Sequence, residues 1–249
     1  MSELSDPRPP NAEAPIRCVR LEVGYGSTAL LPPIDIEVRA GEFLALIGRN
    51  GSGKTTLFRT MLGLLPPVSG EVVARPNVKV GYVRQRLAFD DLYPVTAHEV
   101  VEMGAMRRLP SLLPWGQDAK AVEAALHEVG AAHLWNREFR TLSEGQKQRV
   151  LLARMIVSHP DVALLDEPTA AMDAVAEHEA MSLLDEIRRR HAMAMIVVSH
   201  HLPVARKWAE RVLFVDAESR SVVIGPPDEV FSHEGFLSRY REAVEAGVA

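Results

Sequence analysis

The stretch Gly48-Arg49-Asn50-Gly51-Ser52-Gly53-Lys54-Thr55-Thr56 has the residue types, in the right order, to hold a polyphosphate. It fits the pattern G-x-x-x-x-G-K-[ST] through Gly48, Gly53, Lys54 and Thr55. Glycines allow backbone N–H groups to turn inward and approach a phosphate closely. The Lys54 ammonium is placed to reach the β- and γ-phosphates, and the Thr55 hydroxyl can coordinate Mg²⁺. Asn50, Gly51, Ser52 and Thr56 complete the candidate binding loop. A second candidate is Asp166-Glu167, directly after the apolar run Val162–Leu165. At the C-terminal end of a parallel strand, Asp166 would face the ligand crevice and hold Mg²⁺, and Glu167 could polarise a water as general base. Taken alone, an Asp-Glu pair after a strand reads better as the cap of a following helix.

These residues need a strand–loop–helix frame. Phe43-Leu44-Ala45-Leu46-Ile47 is a continuous apolar run of strand length, as in a buried parallel strand. After the loop, Leu57, Met61, Leu62 and Leu64 recur at near-helical spacing, so the loop opens a helix over Thr55–Leu64. The free N–H groups and dipole of that helix start favour an anion. Further strands are expected over Ile16–Val23, Ile34–Val38, Glu71–Ala74, Val78–Val83 and Met195–Val198, with a Gly-Tyr-Gly turn at Gly24–Gly26. Two short strands and a charged helical tail are expected from Arg211 onward.

The region from Arg86 to about Gly145 turns helical. Thr96 with Glu99, and Ser143 with Gln146, form capping boxes, and Asp118 can cap a helix carrying Val122, Leu126 and Val129 on one face. An amphipathic helix runs over Glu177–Arg190, and Arg188-Arg189-Arg190 reads as its solvated C-terminus. Strands alternating with helices predict an α/β fold: a mainly parallel sheet flanked by helices, with a small antiparallel β subdomain and an inserted helical subdomain. The expected divisions are a disordered lead-in over 1–15, a core over 16–85 and 146–249, and the helical subdomain over 86–145.

Composition excludes several classes. The chain has 249 residues, a net charge of −5, 47% hydrophobic residues and one cysteine, Cys18. No basic field points to nucleic acid, and no apolar run approaches the ~18–20 residues of a membrane helix. The N-terminus lacks the apolar segment of a secretory signal, and a lone cysteine excludes internal disulfides and suits a reducing compartment. Cys18 reads as a small buried hydrophobe.

Taken together, the motifs make the chain resemble an ATP-binding cassette (ABC) nucleotide-binding domain from about Ile16 onward. Gly48–Thr56 is similar to its Walker A loop and Val162–Glu167 to its Walker B strand with the catalytic glutamate. Leu142-Ser143-Glu144-Gly145-Gln146 resembles the LSGGQ signature. The resemblance places Gln85 as the Q-loop glutamine, which senses Mg²⁺ and the lytic water. It places Asp173 as the D-loop aspartate, His200 as the switch histidine at the γ-phosphate, and Tyr25 as the aromatic that stacks on adenine. His200, rather than His201, follows Ser199 in the family's S/T-H pattern.

The resemblance implies ATP and Mg²⁺ as ligands, and a head-to-tail pair in which Ser143, Gly145 and Gln146 of one copy meet the phosphate held by the other. A lone copy should then be a poor ATPase. It also implies separate membrane permease subunits, indirectly a substrate-binding protein, no nucleic acid, and a peripheral place on the cytoplasmic face of the inner membrane. The gap from Lys54 to Ser143 is too short for the long coiled coil of chromosome-associated relatives, so a soluble non-transport ATPase is the weaker alternative. The stretches VGYVRQR and YPVTAHEVVEMG are similar to zinc/manganese and iron-chelate importer ATPases. There are two departures from the family pattern. Glu144 replaces the first signature glycine, with its carboxylate expected toward solvent or Lys147, and Arg84 stands where a proline usually precedes the Q-loop glutamine.

Overall fold

The computed structural model describes residues 14–83, 94–105, 119–170 and 172–245, the last four in backbone only. The lead-in, Arg84, Gln85 and Asp118 therefore lie outside the described residues, apart from Ala14 and Pro15. Those two are already buried, and the Pro15 carbonyl accepts a hydrogen bond from Arg75 N–H at 3.0 Å, so the packed chain begins before Ile16.

The chain opens with β1 (Ile16–Glu22), a two-residue pair β2 (Gly24–Tyr25) and β3 (Thr28–Ala29), then β4 (Ile34–Val38). It continues through β5 (Phe43–Ile47), α1 (Lys54–Met61), β6 (Ser69–Ala74) and β7 (Val80–Val83). The helices α2 (Ala97–Ala105), α3 (Ala119–Glu128) and α4 (Glu144–Val157) follow, with single 3₁₀ turns at Ala132–Leu134 and Phe139–Thr141. The remainder is β8 (Val162–Asp166), α5 (Ala174–His191), β9 (Ala194–Ser199), α6 (Leu202–Trp208), β10 (Arg211–Asp216), β11 (Ser221–Gly225), α7 (Pro227–Ser232) and α8 (Glu234–Glu245).

Six strands form the main sheet in the order β11-β10-β5-β9-β8-β7, parallel except for the β10–β11 hairpin. A three-stranded antiparallel sheet, β4-β1-β6, stands beside it. The expected fold class is the one found. Its cause is visible in β5, where every residue is buried. Leu44 and Leu46 face a cluster with Leu57 and Phe58 of α1 and with β1 and β4. Phe43 faces a cluster with α2–α5, and Ala45 and Ile47 face one with α6–α8. A strand covered on both faces has no use for polar alternation, hence its unbroken apolar run.

The parallel register aligns the strand ends. Ile47 pairs with Ser199 and Phe214, Asp166 with Val198, and Val83 with Leu165. Whatever follows Ile47, Asp166 and Ser199 therefore emerges along one edge of the sheet. Val83, the last described residue before Gln85, ends at that same edge.

α2 and α3 pack on α4, and the cluster they share extends onto the sheet through Leu165, Met195 and Val197. Val122, Leu126 and Val129 are buried together, as their spacing requires. The expected solvated triple arginine needs correction. Arg188 is buried: it donates to Asp185 at 2.8 Å, to Glu210 at 3.1 Å and to the Gly41 carbonyl, while Arg189 and Arg190 are exposed. Three adjacent helical residues span most of a turn, so one of them must face inward.

Candidate active site

The phosphate loop runs from the end of β5 to the start of α1. Gly53, at φ 97°, occupies the left-handed region as the residue before α1, and no side chain caps this helix. The first N–H groups of a helix have no partner within it, so this end can offer donors to a ligand. At Gly48 a Cβ would lie 2.3 Å from the Val215 carbonyl oxygen, so only glycine lets the loop pass β10. Ser52 Oγ is buried and has no hydrogen-bond partner among the described residues. Asn50, Gly51 and Thr55 are exposed, and Thr56 is buried. The Lys54 ammonium donates to the carbonyls of Gly48 at 2.7 Å and Arg49 at 2.9 Å, closing the loop on itself.

The electrostatics bind this loop to the ends of the neighbouring strands. Burial draws Lys54 below the ordinary lysine range, opposed by the carboxylates of Glu167 and Asp166. Burial pushes Asp166 above the ordinary aspartate range and the Glu167 charge adds to it; Lys54, a hydrogen bond from Tyr82 and Arg59 act the other way. Two adjacent carboxylates at a half-buried strand end, with one ammonium between them and the loop, leave a site that gains from a further cation. The donor set fits Mg²⁺: the Asp166 carboxylate, the exposed Thr55 hydroxyl and the anion expected on the loop are hard oxygen ligands.

Glu167 has φ 49°, a left-handed conformation for a non-glycine residue, and its N–H donates to the Val198 carbonyl at 3.0 Å. Such a conformation costs on the order of 1 kcal/mol and clusters at functional sites. It turns the side chain to His200, whose Nδ1 lies 3.3 Å from Glu167 Oε1. His201 points elsewhere, to Glu177 Oε1 at 2.8 Å, and Thr169 Oγ1 donates to the same oxygen at 3.0 Å. The sequence reading assigned no role to this second pair. Partners 8 and 24 positions apart leave no spacing signal; a first-turn acid on α5 was the only sign.

The other site candidates lie around this centre. Tyr25 presents a ring that is 59% exposed, and its hydroxyl is 3.4 Å from Thr56 Oγ1, linking the β2–β3 pair to the start of α1. Ser143 and Gln146 form a reciprocal capping box at the start of α4: Gln146 N–H donates to Ser143 Oγ at 3.3 Å and Ser143 N–H to Gln146 Oε1 at 3.0 Å. Ser143, Glu144 and Gly145 are exposed, and a Cβ on Gly145 would meet nothing within 4 Å. Glu144 Oε1 lies 3.5 Å from Lys147 Nζ. Asp173 caps α5, accepting from the N–H groups of Val175 and Ala176. A cavity of about 330 Å³ separates the two helix starts, lined by Glu144, Gly145, Gln148, Glu167 and Asp173 among others. Lys54, Asp166, Glu167 and His200 thus converge at one edge of the sheet, while the signature residues head a separate helix.

A parallel sheet with a glycine-rich phosphate loop, and paired carboxylates on the next strand but one, defines a P-loop nucleotide hydrolase. Comparison with known proteins narrows the class. The ABC transporter family profile matches residues 31–170. The zinc import ATP-binding protein ZnuC of Yersinia enterocolitica is 34% identical over 221 residues, covering 89% of this chain and 83% of that protein. ZnuC of Pseudomonas putida is 35% identical over 230 residues, covering 92% and 84%. Among solved structures, cbiO1 from Clostridium perfringens, part of the ABC transporter complex cbiONQ, superposes with a TM-score of 0.78 at 28% identity, covering 94% of this chain and 97% of that one. The chain belongs to the ABC transporter ATP-binding family, and its activity is ATP hydrolysis.

Proposed function

We propose that the chain is the ATPase subunit of an importer for a divalent metal ion, zinc or manganese, working as a pair of copies on separate membrane permease subunits. The observation that carries the catalytic part is the convergence of Lys54, Asp166, Glu167 and His200 at one edge of the sheet. In this reading Tyr25 stacks on adenine, and the loop residues Gly48, Asn50, Gly51, Ser52, Gly53, Lys54, Thr55 and Thr56 hold the phosphates. Asp166, Thr55 and Gln85 would hold Mg²⁺, which would supply charge neutralisation at the phosphates. Glu167 draws a proton from the attacking water, and His200, placed by β9, meets the γ-phosphate and fixes the Glu167 carboxylate. Ser143, Gly145 and Gln146 serve the ATP of the second copy, with Asp173 beside them. The exposure of Ser143 and Gly145 at the start of α4, with no Cβ contact at Gly145, supports that role.

No helix among the described residues is long and apolar enough to cross a membrane; in this reading the chain is a peripheral subunit on the cytoplasmic face, driving a separate permease. The zinc reading rests on the ZnuC relatives, and a substrate-binding protein would deliver the ion to the permease. Glu167→Gln should bind ATP, lose turnover by about 10²-fold or more and accumulate as a dimer. A monomer with full activity would count against the scheme. Zinc-limited growth that is unaffected by deletion of the coding gene would overturn the substrate.

A further inference from the structure

Glu167 and His200 follow two adjacent strands whose ladder fixes their backbones, so what remains to be set is the aim of their side chains. The contacts around them close into a ring. His200 Nδ1 is 3.3 Å from Glu167 Oε1, and the His200 and His201 rings meet edge-on with centroids 4.6 Å apart. His201 Nδ1 is 2.8 Å from Glu177 Oε1, which accepts from Thr169 Oγ1 at 3.0 Å. Thr169 returns to Glu167 through a tight turn in which Ala170 N–H donates to the Glu167 carbonyl at 3.2 Å. His201 is further tied to its own strand, its N–H donating to Ser199 Oγ at 3.0 Å. Within the ring only Glu177 belongs to a third element, the first turn of α5.

The physical character of Glu177 is that of a brace. Its side chain is 15% exposed, and Thr169 is 5% exposed, so the carboxylate has given up most of its water for these contacts. Desolvating a carboxylate is unfavourable unless fixed donors replace the water. An acid exposed to water in the first turn of α5 would already interact favourably with the helix dipole; this one is instead turned inward onto two loops.

We infer that Glu177 is a positioning residue for ATP hydrolysis: one carboxylate oxygen clamps Thr169 and His201, so that Glu167 and His200 are held at working distance. Glu177 touches neither the phosphate loop nor the reacting atoms and acts through its two neighbours. The inference rests on the assignment of Glu167 as base and His200 as γ-phosphate contact. Misplacement of a reacting group by about 1 Å can cost up to 10²-fold in rate while leaving substrate binding intact.

The test uses the full chain, with steady-state ATPase, equilibrium binding of a fluorescent ATP analogue and thermal unfolding measured on each variant. Glu177→Ala should lower kcat by about tenfold or more while the analogue Kd stays within about twofold. Glu177→Gln keeps an oxygen acceptor for Thr169 and should recover to within about threefold of the parent. The double variant Glu177→Ala/His201→Ala should be no slower than the slower single one, because both remove the same contact. An unchanged kcat in Glu177→Ala overturns the inference. So does a parallel fall in kcat, affinity and unfolding temperature, which would make Glu177 a stability residue, and so does a Glu177→Gln variant as slow as Glu177→Ala. Should Glu177→Ala fail to fold, Thr169→Val, which removes only the hydroxyl contact, must slow kcat by about threefold, and an unaffected rate overturns the inference equally. The underlying site assignment fails separately, by full turnover in Glu167→Gln.

Discussion

Two helix starts in this molecule carry phosphate-binding motifs, and they are built in opposite ways. α1 begins at Gly53 with no side-chain cap; its loop is half-buried and closed by Lys54 on the carbonyls of Gly48 and Arg49. α4 begins at Ser143 with a complete capping box and stands exposed. The first leaves its N–H groups to be satisfied by something from outside the helix, against a wall supplied by the same chain. The second satisfies part of its own end and borders an open cavity shared with Glu167 and Asp173 in place of a closed loop. On the proposed reading, the difference assigns α1 to a nucleotide held within one chain and α4 to a site that a second copy completes. That asymmetry is what a head-to-tail pair requires.

The comparison can be broken most forcefully at α1. Lys54→Ala removes the charge that closes the loop and faces Asp166 and Glu167. Turnover should fall by about 10²–10³-fold, as for other preorganised charge contacts to a reacting phosphate, measured as ATP hydrolysis at saturating ATP. Retained turnover would show that the α1 loop is not the catalytic cradle. At α4, Ser143→Ala should lower turnover by about tenfold while leaving ATP binding to a single chain unchanged, if this helix start serves the other copy as proposed. The lost cap should also cost about 1 kcal/mol of stability, read by denaturant unfolding. Loss of ATP binding by the monomer would erase the distinction between the two ends.

Asp166 sharpens the α1 side through pH. Burial and Glu167 raise its carboxyl above the unfolded value. The folded chain therefore holds that proton more tightly than the unfolded one. Stability from this group is fully present below the ordinary aspartate range and is lost as pH rises through the raised folded value. Asp166→Asn should remove this slope and raise the neutral-pH Tm of the ligand-free chain, by roughly 2–4 °C for each kcal/mol relieved. The same variant should lose Mg²⁺-dependent turnover. A Tm unchanged from pH 4 to 8 relative to the parent would mean that the carboxyl is not strained. The smallest effect is expected at Glu144. Its carboxylate is 84% exposed beside Lys147, so Glu144→Gly should change turnover by less than about tenfold, or ~1.4 kcal/mol of barrier. A larger rise would show that this charge opposes the incoming phosphate.

Much of this was legible in the sequence, for reasons that differ by residue. β5, its loop and α1 could be read because a doubly buried strand, positive-φ glycines and a helical stripe are each local signals. The start of α4 could be read because a capping box is closed within four residues. What could not be read depends on packing. α6 escaped notice because a seven-residue helix with Pro203 in its first turn has too few turns to show a period. The inward turn of Arg188 has no sequence signal, because inward and outward positions in a run of three arginines look alike until the helix is docked. Glu177 was hidden because its two partners reach it from separate loops. The Glu167 backbone conformation also had no residue-type marker, since an αL position normally announces itself with glycine.

Arg188 has a mechanical consequence. It ties the rear of α5 to Gly41 and Glu210, next to the first residue of β5, while the front of the same helix ends at Asp173 beside the cavity under the α4 start. Eighteen helical residues make a rod about 27 Å long. It is held at its rear by Arg188 and at its first turn by Glu177, with Met181, Leu184 and Ile187 packed between. A stiff strut fastened at both ends sets the spacing between the foot of β5 and the loops that follow β8 and β9.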